Sequence, residues 1–167
     1  MSQSVTTFED LYEKHAKDVY RFAYWLCGDE DDAKDITSET FVRVWTSDTE
    51  TRLETVKAYL FAIARNQFLH MQRKKKRFTK ITEENAGSTQ ETERDTEAQS
   101  ELDRTMQALD ALPEIDRTIL ILRAQDELTY DEIATITGLS LSTVKIRLFR
   151  ARVKLTTIRN KNERNTP

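Results

Sequence analysis

The sequence predicts an all-α protein in which two small helical domains are joined by an acidic, flexible linker. The chain of 167 residues contains three Gly and two Pro, fewer than strands and tight turns normally use. Apolar residues recur at steps of three and four along most of the chain, which is the helical period. Residues 81–103 contain eight acids and one arginine, with almost no large apolar side chains, so this segment cannot fold alone. The predicted domains are therefore 1–78 and 102–167, with the linker at 79–101.

Three helices are predicted in the first domain. The first, over residues 8–27, has the inward stripe Phe8, Leu11, His15, Val19, Phe22 and Leu26. Gly28 should end it, and Asp29 should cap a second helix that continues to about Trp45. The inward line of this second helix is Ala33, Ile36, Thr40 and Val44. Residues 46–55 have no periodicity and are predicted to be a loop. The third helix, from about Val56 to Arg77, has on one face Phe61, Ala64, Phe68 and Met71.

The second domain is predicted to contain a helix-turn-helix motif. Helical spacing resumes with Leu102, Met106, Leu109 and Leu112, and Pro113 begins the next helix. Further along, Ala134 lies where two helices approach closely, and Gly138 supplies a tight turn where a Cβ would clash. Ser140 can cap the long helix that follows. The inward stripe of this long helix is Leu141, Val144, Leu148, Ala151 and Leu155.

Positive charge is concentrated in two short segments of a chain whose net charge is −3. Residues 141–164 have a net charge of +7 and residues 73–80 a net charge of +6, which leaves −16 for the remainder. This segregation indicates two contacts with one polyanion. In the long helix, cations, hydroxyls and the apolar Ile146 and Phe149 face away from the inward stripe, as recognition of the DNA major groove requires. A helical hairpin with a basic exposed face is the alternative, and Ile146 and Phe149 would then belong to a protein interface.

Several classes of protein are disfavoured by the composition. No apolar run approaches the ~20 residues of a membrane span, and the N-terminus is polar and acidic, so we expect a cytoplasmic protein without membrane contact. Cys27 is the only cysteine in the sequence, which excludes an internal disulfide and most zinc sites. We expect no metal and no cofactor. The acids at 29–32 begin a helix, where the helix dipole favours them, so we assign no catalytic residue and expect no enzyme.

Three stretches, in this order, resemble the extracytoplasmic-function (ECF, group 4) sigma factors of the sigma-70 family. They are "DDAKDITSETFVRVW" (31–45), "AYLFAIARNQFLHMQRKKKR" (58–77) and "LPEIDRTILILRAQDELTYDEIATITGLSLSTVKIRLFRARVKL" (112–155). The resemblance implies an alternative sigma factor that binds core RNA polymerase, directs it to specific promoters and helps to melt them. It also implies that the first domain is a sigma-2-like helical bundle and the second a sigma-4-like helix-turn-helix.

The resemblance also assigns a role to each stretch. The first would dock on the coiled coil of the polymerase β′ subunit through Asp35, Ile36, Ser38, Glu39, Val42 and Trp45. For Trp45, packing in the core is the alternative. The second would bind the single-stranded minus-ten element through Tyr59, Asn66, His70, Arg73 and Lys74. The third would bind the duplex minus-thirty-five element through Arg123, Ser142, Thr143, Lys145, Ile146, Phe149 and Arg150.

The implied partners are core RNA polymerase, through its β′ and β subunits, promoter DNA in duplex and single-stranded form, and an anti-sigma factor. The acidic linker would follow the polymerase's positively charged RNA path, or serve as a plain spacer. Two other functions compete with this interpretation: a stand-alone helix-turn-helix repressor or activator, and an enzyme acting on nucleic acid. The stretches 31–45 and 58–77 argue against the first, since a sensor domain needs neither a polymerase-docking helix nor a DNA-melting face.

Overall fold

The computed structural model describes residues 7–46, 56–82 and 97–164. Within these ranges the protein forms seven α-helices and no strand, which confirms the all-α prediction. The helices are α1 (Phe8–Cys27), α2 (Glu30–Thr46), α3 (Val56–Thr82), α4 (Glu97–Asp110), α5 (Glu114–Ala124), α6 (Tyr130–Thr137) and α7 (Leu141–Arg164). The predicted loop beyond Thr46 and residues 83–96 of the predicted linker lie outside the described residues. No helix in the described ranges is long and apolar enough to cross a membrane.

Local sequence signals set the boundary between α1 and α2. Thr7 and Asp10 form a capping box at the start of α1, each side chain accepting a hydrogen bond from the other's backbone N–H. Gly28 ends α1 in the left-handed conformation, with φ of 72°. The Asp29 carboxylate then accepts a hydrogen bond from the backbone N–H of Asp32 at 2.9 Å. The predicted stop at Gly28 and the predicted cap at Asp29 are both confirmed.

Helices α1, α2 and α3 pack together as a three-helix bundle, the N-terminal unit. At its centre the rings of Phe22 and Phe61 meet with centroids 4.9 Å apart. The predicted inward residues that are buried are Val19, Phe22, Leu26, Ala33, Ile36, Thr40, Phe61, Ala64 and Phe68. Phe8, Leu11, His15, Val44 and Met71 are half-buried at the edge of the same core. The helical period therefore predicted the packed face of all three helices.

Helices α4 to α7 form the C-terminal unit, in which α6 and α7 are the predicted helix-turn-helix. Gly138 has φ of 71°, but a Cβ there would meet nothing within 4 Å. The predicted clash is therefore wrong, and glycine is favoured by the left-handed backbone alone. Ser140 caps α7 as predicted, accepting a hydrogen bond from the backbone N–H of Thr143 at 3.2 Å.

The predicted inward stripe of α7 is confirmed over most of its length. Val144, Leu148 and Ala151 are buried, and Leu155 is half-buried. Leu141 departs from the prediction because its side chain is 40% exposed. It is the first residue of α7.

The two units pack against each other, with α1 on α5 and α3 on α6, and their buried apolar residues form one continuous cluster. Arg65 of α3 donates two hydrogen bonds to the Glu114 carboxylate of α5, at 3.0 and 3.1 Å. Arg21 of α1 donates one to Asp126 at 3.2 Å. The Asp126 side chain is fully buried. Burial raises the pKa of Asp126, while the hydrogen bond from Arg21 opposes that rise.

Arg117 of α5 makes the most buried of these contacts. Its side chain donates a hydrogen bond to the Leu26 carbonyl at 3.0 Å, in the last turn of α1, where carbonyls lack partners within the helix. The guanidinium also lies over the ring of Phe68, 5.8 Å from its centroid, and pairs with Asp110 at 3.1 Å. One arginine of the C-terminal unit therefore caps a helix of the N-terminal unit.

Helical structure extends into both ends of the segment 79–101 that was predicted to be the linker. Helix α3 continues through Thr82, and α4 begins at Glu97. Leu102 and Met106, which were expected to begin the second domain, lie in the second and third turns of α4. Periodicity missed these helical ends because they have few apolar residues to reveal a period.

Candidate nucleic-acid and polymerase interface

The outward face of α7 combines apolar and cationic side chains, as the helical phase predicts. Ile146 is 52% exposed and Phe149 is 69% exposed. Ser142, Lys145 and Arg150 are exposed beside them, while Thr143 is half-buried. Four of these residues border a groove of about 670 Å³, which is lined by Asp116, Thr143, Ile146, Arg147, Phe149, Arg150, Val153 and Lys154. An exposed apolar strip flanked by cations can meet thymine methyl groups and phosphates at once.

Four residues of this groove were not among the predicted site residues: Asp116, Arg147, Val153 and Lys154. Arg147 donates a hydrogen bond to Asp116 of α5 at 3.0 Å, so this cation helps to fix α7 on the rest of its unit. Val153 is exposed one turn beyond Phe149 and lengthens the apolar strip. The i, i+4 spacing from Phe149 would have revealed Val153, whereas the Arg147–Asp116 pair joins separate helices and has no local signal.

Arg123 lies beside the same face, held by two contacts. It donates a hydrogen bond to the Leu128 carbonyl at 2.9 Å, and its guanidinium lies 4.5 Å from the centroid of the Tyr130 ring. The ammonium of Lys145 lies 5.7 Å from the same centroid. Tyr130 therefore brings Arg123 and Lys145 together, a role that sequence reasoning missed.

The residues predicted for the minus-ten element share one face of α3. At about 100° per residue they fall within an arc of roughly 100°, opposite the buried face that contains Phe61 and Phe68. Asn66 and His70 are exposed and Tyr59 is half-buried. Arg73 and Lys74 are exposed at the far end of the face. The helix thus presents one aromatic ring, one amide and several cations to one side.

The residues predicted for polymerase docking lie on α2, and all but one are exposed: Asp35, Ser38, Glu39, Val42 and Trp45. Ile36 is the exception. Its side chain is 1% exposed and packs in the core, which corrects its assignment to a contact surface. Trp45 is 66% exposed, so core packing is not its main role.

An aromatic cluster supports the exposed end of α2. The rings of Phe8 and Trp45 meet edge to face at 4.5 Å, and those of Tyr12 and Phe41 at 4.9 Å. Tyr12 is itself 48% exposed and enlarges the exposed apolar surface of Val42 and Trp45. Sequence reasoning missed Tyr12 because it lies on α1, about thirty residues away in the chain.

A polar groove of about 290 Å³ separates α2 from α3 and joins the two predicted surfaces. Its lining comprises Asp35, Ile36, Glu39, Arg43, Gln67, His70, Met71 and Lys74. Residues predicted for polymerase and for DNA therefore share one groove. Among the described residues, no three His, Cys, Asp or Glu side chains lie close enough together to hold a metal ion.

Comparison with known proteins decides the family. Two family models match the chain: "Sigma-70 region 2" over residues 11–78 and "Sigma-70, region 4" over residues 102–155. The RNA polymerase sigma factor SigV of Bacillus subtilis is 34% identical over 147 residues, covering 85% of this chain and 87% of SigV. The ECF RNA polymerase sigma factor SigM of the same organism is 32% identical over 157 residues, covering 93% of this chain and 96% of SigM.

The chain belongs to the ECF RNA polymerase sigma factors. As a sigma factor with regions 2 and 4, it directs transcription initiation at promoters. A third relative, the ECF sigma factor SigE of Mycolicibacterium smegmatis, is 33% identical over 162 residues, covering 91% of this chain and 61% of SigE. This chain therefore spans about three fifths of the length of SigE.

Solved structures show the same fold. The sigma factor RpoE, in complex with the anti-sigma factor NepR from Bartonella quintana, superposes with a TM-score of 0.74 at 24% identity, covering 93% of this sigma factor and 98% of RpoE. CnrH, in complex with the cytosolic domain of CnrY, superposes with a TM-score of 0.70 at 25% identity. The match covers 92% of this sigma factor and 88% of CnrH. The prediction of a sigma-2-like bundle followed by a sigma-4-like helix-turn-helix is confirmed.

Proposed function

We propose that this sigma factor docks on core RNA polymerase through α2, reads the minus-thirty-five element through α7 and holds the opened minus-ten element on α3. The proposal assigns it no chemistry of its own and places it in the cytoplasm, where the polymerase works. One observation carries it: three exposed faces coincide with the three stretches that resemble the family's functional segments. The match to region 2 disfavours a stand-alone repressor or activator.

The α7 face supports direct reading of duplex DNA. Arg150 can donate two hydrogen bonds to a guanine edge, while Ile146 and Phe149 can contact thymine methyl groups. Ser142 and Thr143 lie in the first turn of α7, where the helix dipole favours a phosphate. Lys145 and Arg123 flank this turn and are better placed for the DNA backbone.

The α3 face supports binding of an unstacked strand. Tyr59 offers a ring on which a base can stack, and the Asn66 amide can donate to and accept from a base edge. His70, Arg73 and Lys74 continue the face along the helix and can follow the phosphates of the same strand.

The α2 face supports docking of a protein. Trp45 and Val42 provide an apolar centre, in which the ring of Phe8 packs against Trp45, and Asp35 and Glu39 provide a polar rim. A buried aromatic anchor within a polar rim is the usual arrangement of an energetically important interface contact.

Replacing Trp45 with alanine is expected to weaken binding to core RNA polymerase about tenfold, because the interface would lose its central anchor, a change worth at least ~1 kcal/mol. The measurement is a titration of labelled protein with purified core enzyme. Phe149→Ala is the matched control, since it removes an aromatic ring of similar exposure from the DNA face and should leave core affinity unchanged. Wild-type affinity in Trp45→Ala, or an equal loss in Phe149→Ala, would contradict the docking assignment.

Simultaneous contact with both promoter elements requires the two units to separate. The elements lie about 25 base pairs apart, which is roughly 85 Å at about 3.4 Å per base pair. A compact chain of this length has a radius of gyration of about 15 Å and is therefore roughly 40 Å across. We propose that the packed arrangement is the DNA-free state, and that the contacts of Arg65, Arg117 and Arg21 break when both elements are bound.

An anti-sigma factor is a further proposed partner. RpoE, which has the same fold, was solved in complex with the anti-sigma factor NepR. The exposed apolar strip on α7 offers such a protein a surface that it would hide from DNA.

A further inference from the structure

The last turns of α3 extend beyond the core of the protein. Every residue from Arg73 to Ile81 is exposed, whereas Met71 and Gln72 just before them are half-buried. The segment 73–80 has six cations and no acid. Such a segment has no buried face to stabilise it, and like charges three or four residues apart destabilise a helix. Repulsion between these cations therefore destabilises the helix here. A polyanionic ligand would remove that repulsion and stabilise the helix.

Four of these cations form a single stripe. Arg73, Lys76, Arg77 and Lys80 are spaced i, i+3, i+4 and i+7, and the helical rotation places them within an arc of about 100°. We call this set the cationic stripe. None of the four forms an ion pair with any residue in the part of the chain that the structure describes. From Arg73 to Lys80 the stripe is about 10 Å long.

The neighbouring cations differ from the stripe. Lys75 points to another side of the helix and pairs with Asp32 of α2, so its charge is already used within the protein. Lys74 lies on the side of Phe78 and Ile81, about 100° from Arg73. Among the described cations at the end of α3, the four of the stripe therefore form one line in which no side chain is ion-paired.

The stripe continues the proposed minus-ten face and shares Arg73 with it. It lies at the end of α3 from which the chain continues to the C-terminal unit, the unit proposed to bind the minus-thirty-five element. DNA that leaves the minus-ten face in the direction of that element would pass along the stripe. There the promoter is double-stranded, and about 10 Å corresponds to roughly three base-pair steps of about 3.4 Å.

We propose that the cationic stripe is a sequence-independent binding site for the phosphate backbone of the duplex DNA between the two promoter elements. The site rests on the proposed function and adds Lys76, Arg77 and Lys80 to its DNA-binding residues. Lysine and arginine at helical spacing neutralise phosphates, and their geometry selects no base. The site would hold the promoter spacer against α3 while the minus-ten element opens.

The test uses the triple variant Lys76→Ala, Arg77→Ala, Lys80→Ala in holoenzyme reconstituted with core polymerase, with Lys75→Ala as the matched control. Alanine favours the helix, so both proteins should fold, which circular dichroism checks. The logarithm of promoter affinity is plotted against the logarithm of salt concentration. Each lost phosphate contact reduces the magnitude of this slope by about 0.9. The slope of the triple variant should therefore be smaller than that of the wild type by about 2 to 3, whereas the slope of Lys75→Ala should be nearly unchanged.

Two further templates make the result specific. Changing the spacer sequence should leave the effect of the triple variant unchanged. Ending the DNA at the upstream edge of the minus-ten element should remove the effect, because no spacer phosphate then remains to be bound. A wild-type slope in the triple variant, an equal loss in Lys75→Ala, or an effect that persists on the shortened DNA would overturn the proposal. If wild-type holoenzyme forms no promoter-dependent complex, the proposed function itself fails, which is a separate result.

Discussion

Replacing Arg150 with alanine is expected to reduce promoter-directed transcription by about 10- to 100-fold, because one bidentate contact to a base is worth about 1–3 kcal/mol. The loss should act through the minus-thirty-five element. It should therefore be large on promoters that depend on that element and small on templates from which it has been removed. The measurement is a single-round transcription assay with reconstituted holoenzyme on both kinds of template.

Arg152→Ala is the matched control for this prediction. Arg152 is an exposed arginine of the same helix, two residues away and so about 200° around the axis from Arg150. Its replacement should change transcription less than twofold. A defect of Arg150→Ala that appears only on pre-melted templates would place this residue outside the minus-thirty-five contact. An equal defect in Arg152→Ala would show that the loss of one positive charge on α7, and not the loss of a specific base contact, causes the defect.

Replacing Arg117 with alanine should weaken the contact between the two units by about 2–4 kcal/mol. The change leaves the buried Leu26 carbonyl without a hydrogen-bond donor, which costs about 1–3 kcal/mol. It also removes a cation–π contact with Phe68 that is worth about 0.5–2 kcal/mol. The expected result is a lower unfolding midpoint and a larger radius of gyration, measured by thermal denaturation and small-angle X-ray scattering.

Arg159→Ala serves as the control for this interface. Arg159 is an exposed arginine whose ion pairs with Glu101 and Glu163 are long, at 3.8 and 3.7 Å, so its loss should cost little. If Arg117→Ala has the compactness and unfolding midpoint of the wild type, the contact across the units does not hold them together as described.

The parts of the fold that sequence predicted are those set by local spacing. Gly28 and Asp29 stand next to each other and fix the boundary of two helices through their own backbone and side chain. The phase of α7 placed Val144 and Leu148 inward and Ile146 and Phe149 outward, because four residues of one helix are related by rotation alone.

The contacts that sequence missed join residues far apart in the chain. Arg117 and Leu26 are 91 residues apart, and Arg21 and Asp126 are 105 residues apart. No periodicity links such pairs, since each depends on how two finished units meet. Ile36 shows a related error: resemblance placed it on a contact surface, while its own helical phase placed it in the core.

The contacts of this sigma factor with DNA and polymerase remain predictions, because helical phase does not identify a binding partner. Helical phase decides whether Asn66 or Trp45 is exposed, but exposure alone does not select the group that binds there. The identity of that group enters through chemistry, such as the amide of Asn66 for a base edge, and through membership of the family.

The most direct test of the account is to combine the purified protein with core RNA polymerase and genomic DNA and to map the start sites of the resulting transcripts. We expect a stable complex with core enzyme and transcripts that begin at a discrete set of promoters sharing two sequence elements. We also expect weak binding of the protein alone to duplex DNA, since outside its two basic segments the chain has a net charge of −16. A protein that binds duplex DNA tightly by itself and leaves core polymerase unbound would contradict the account.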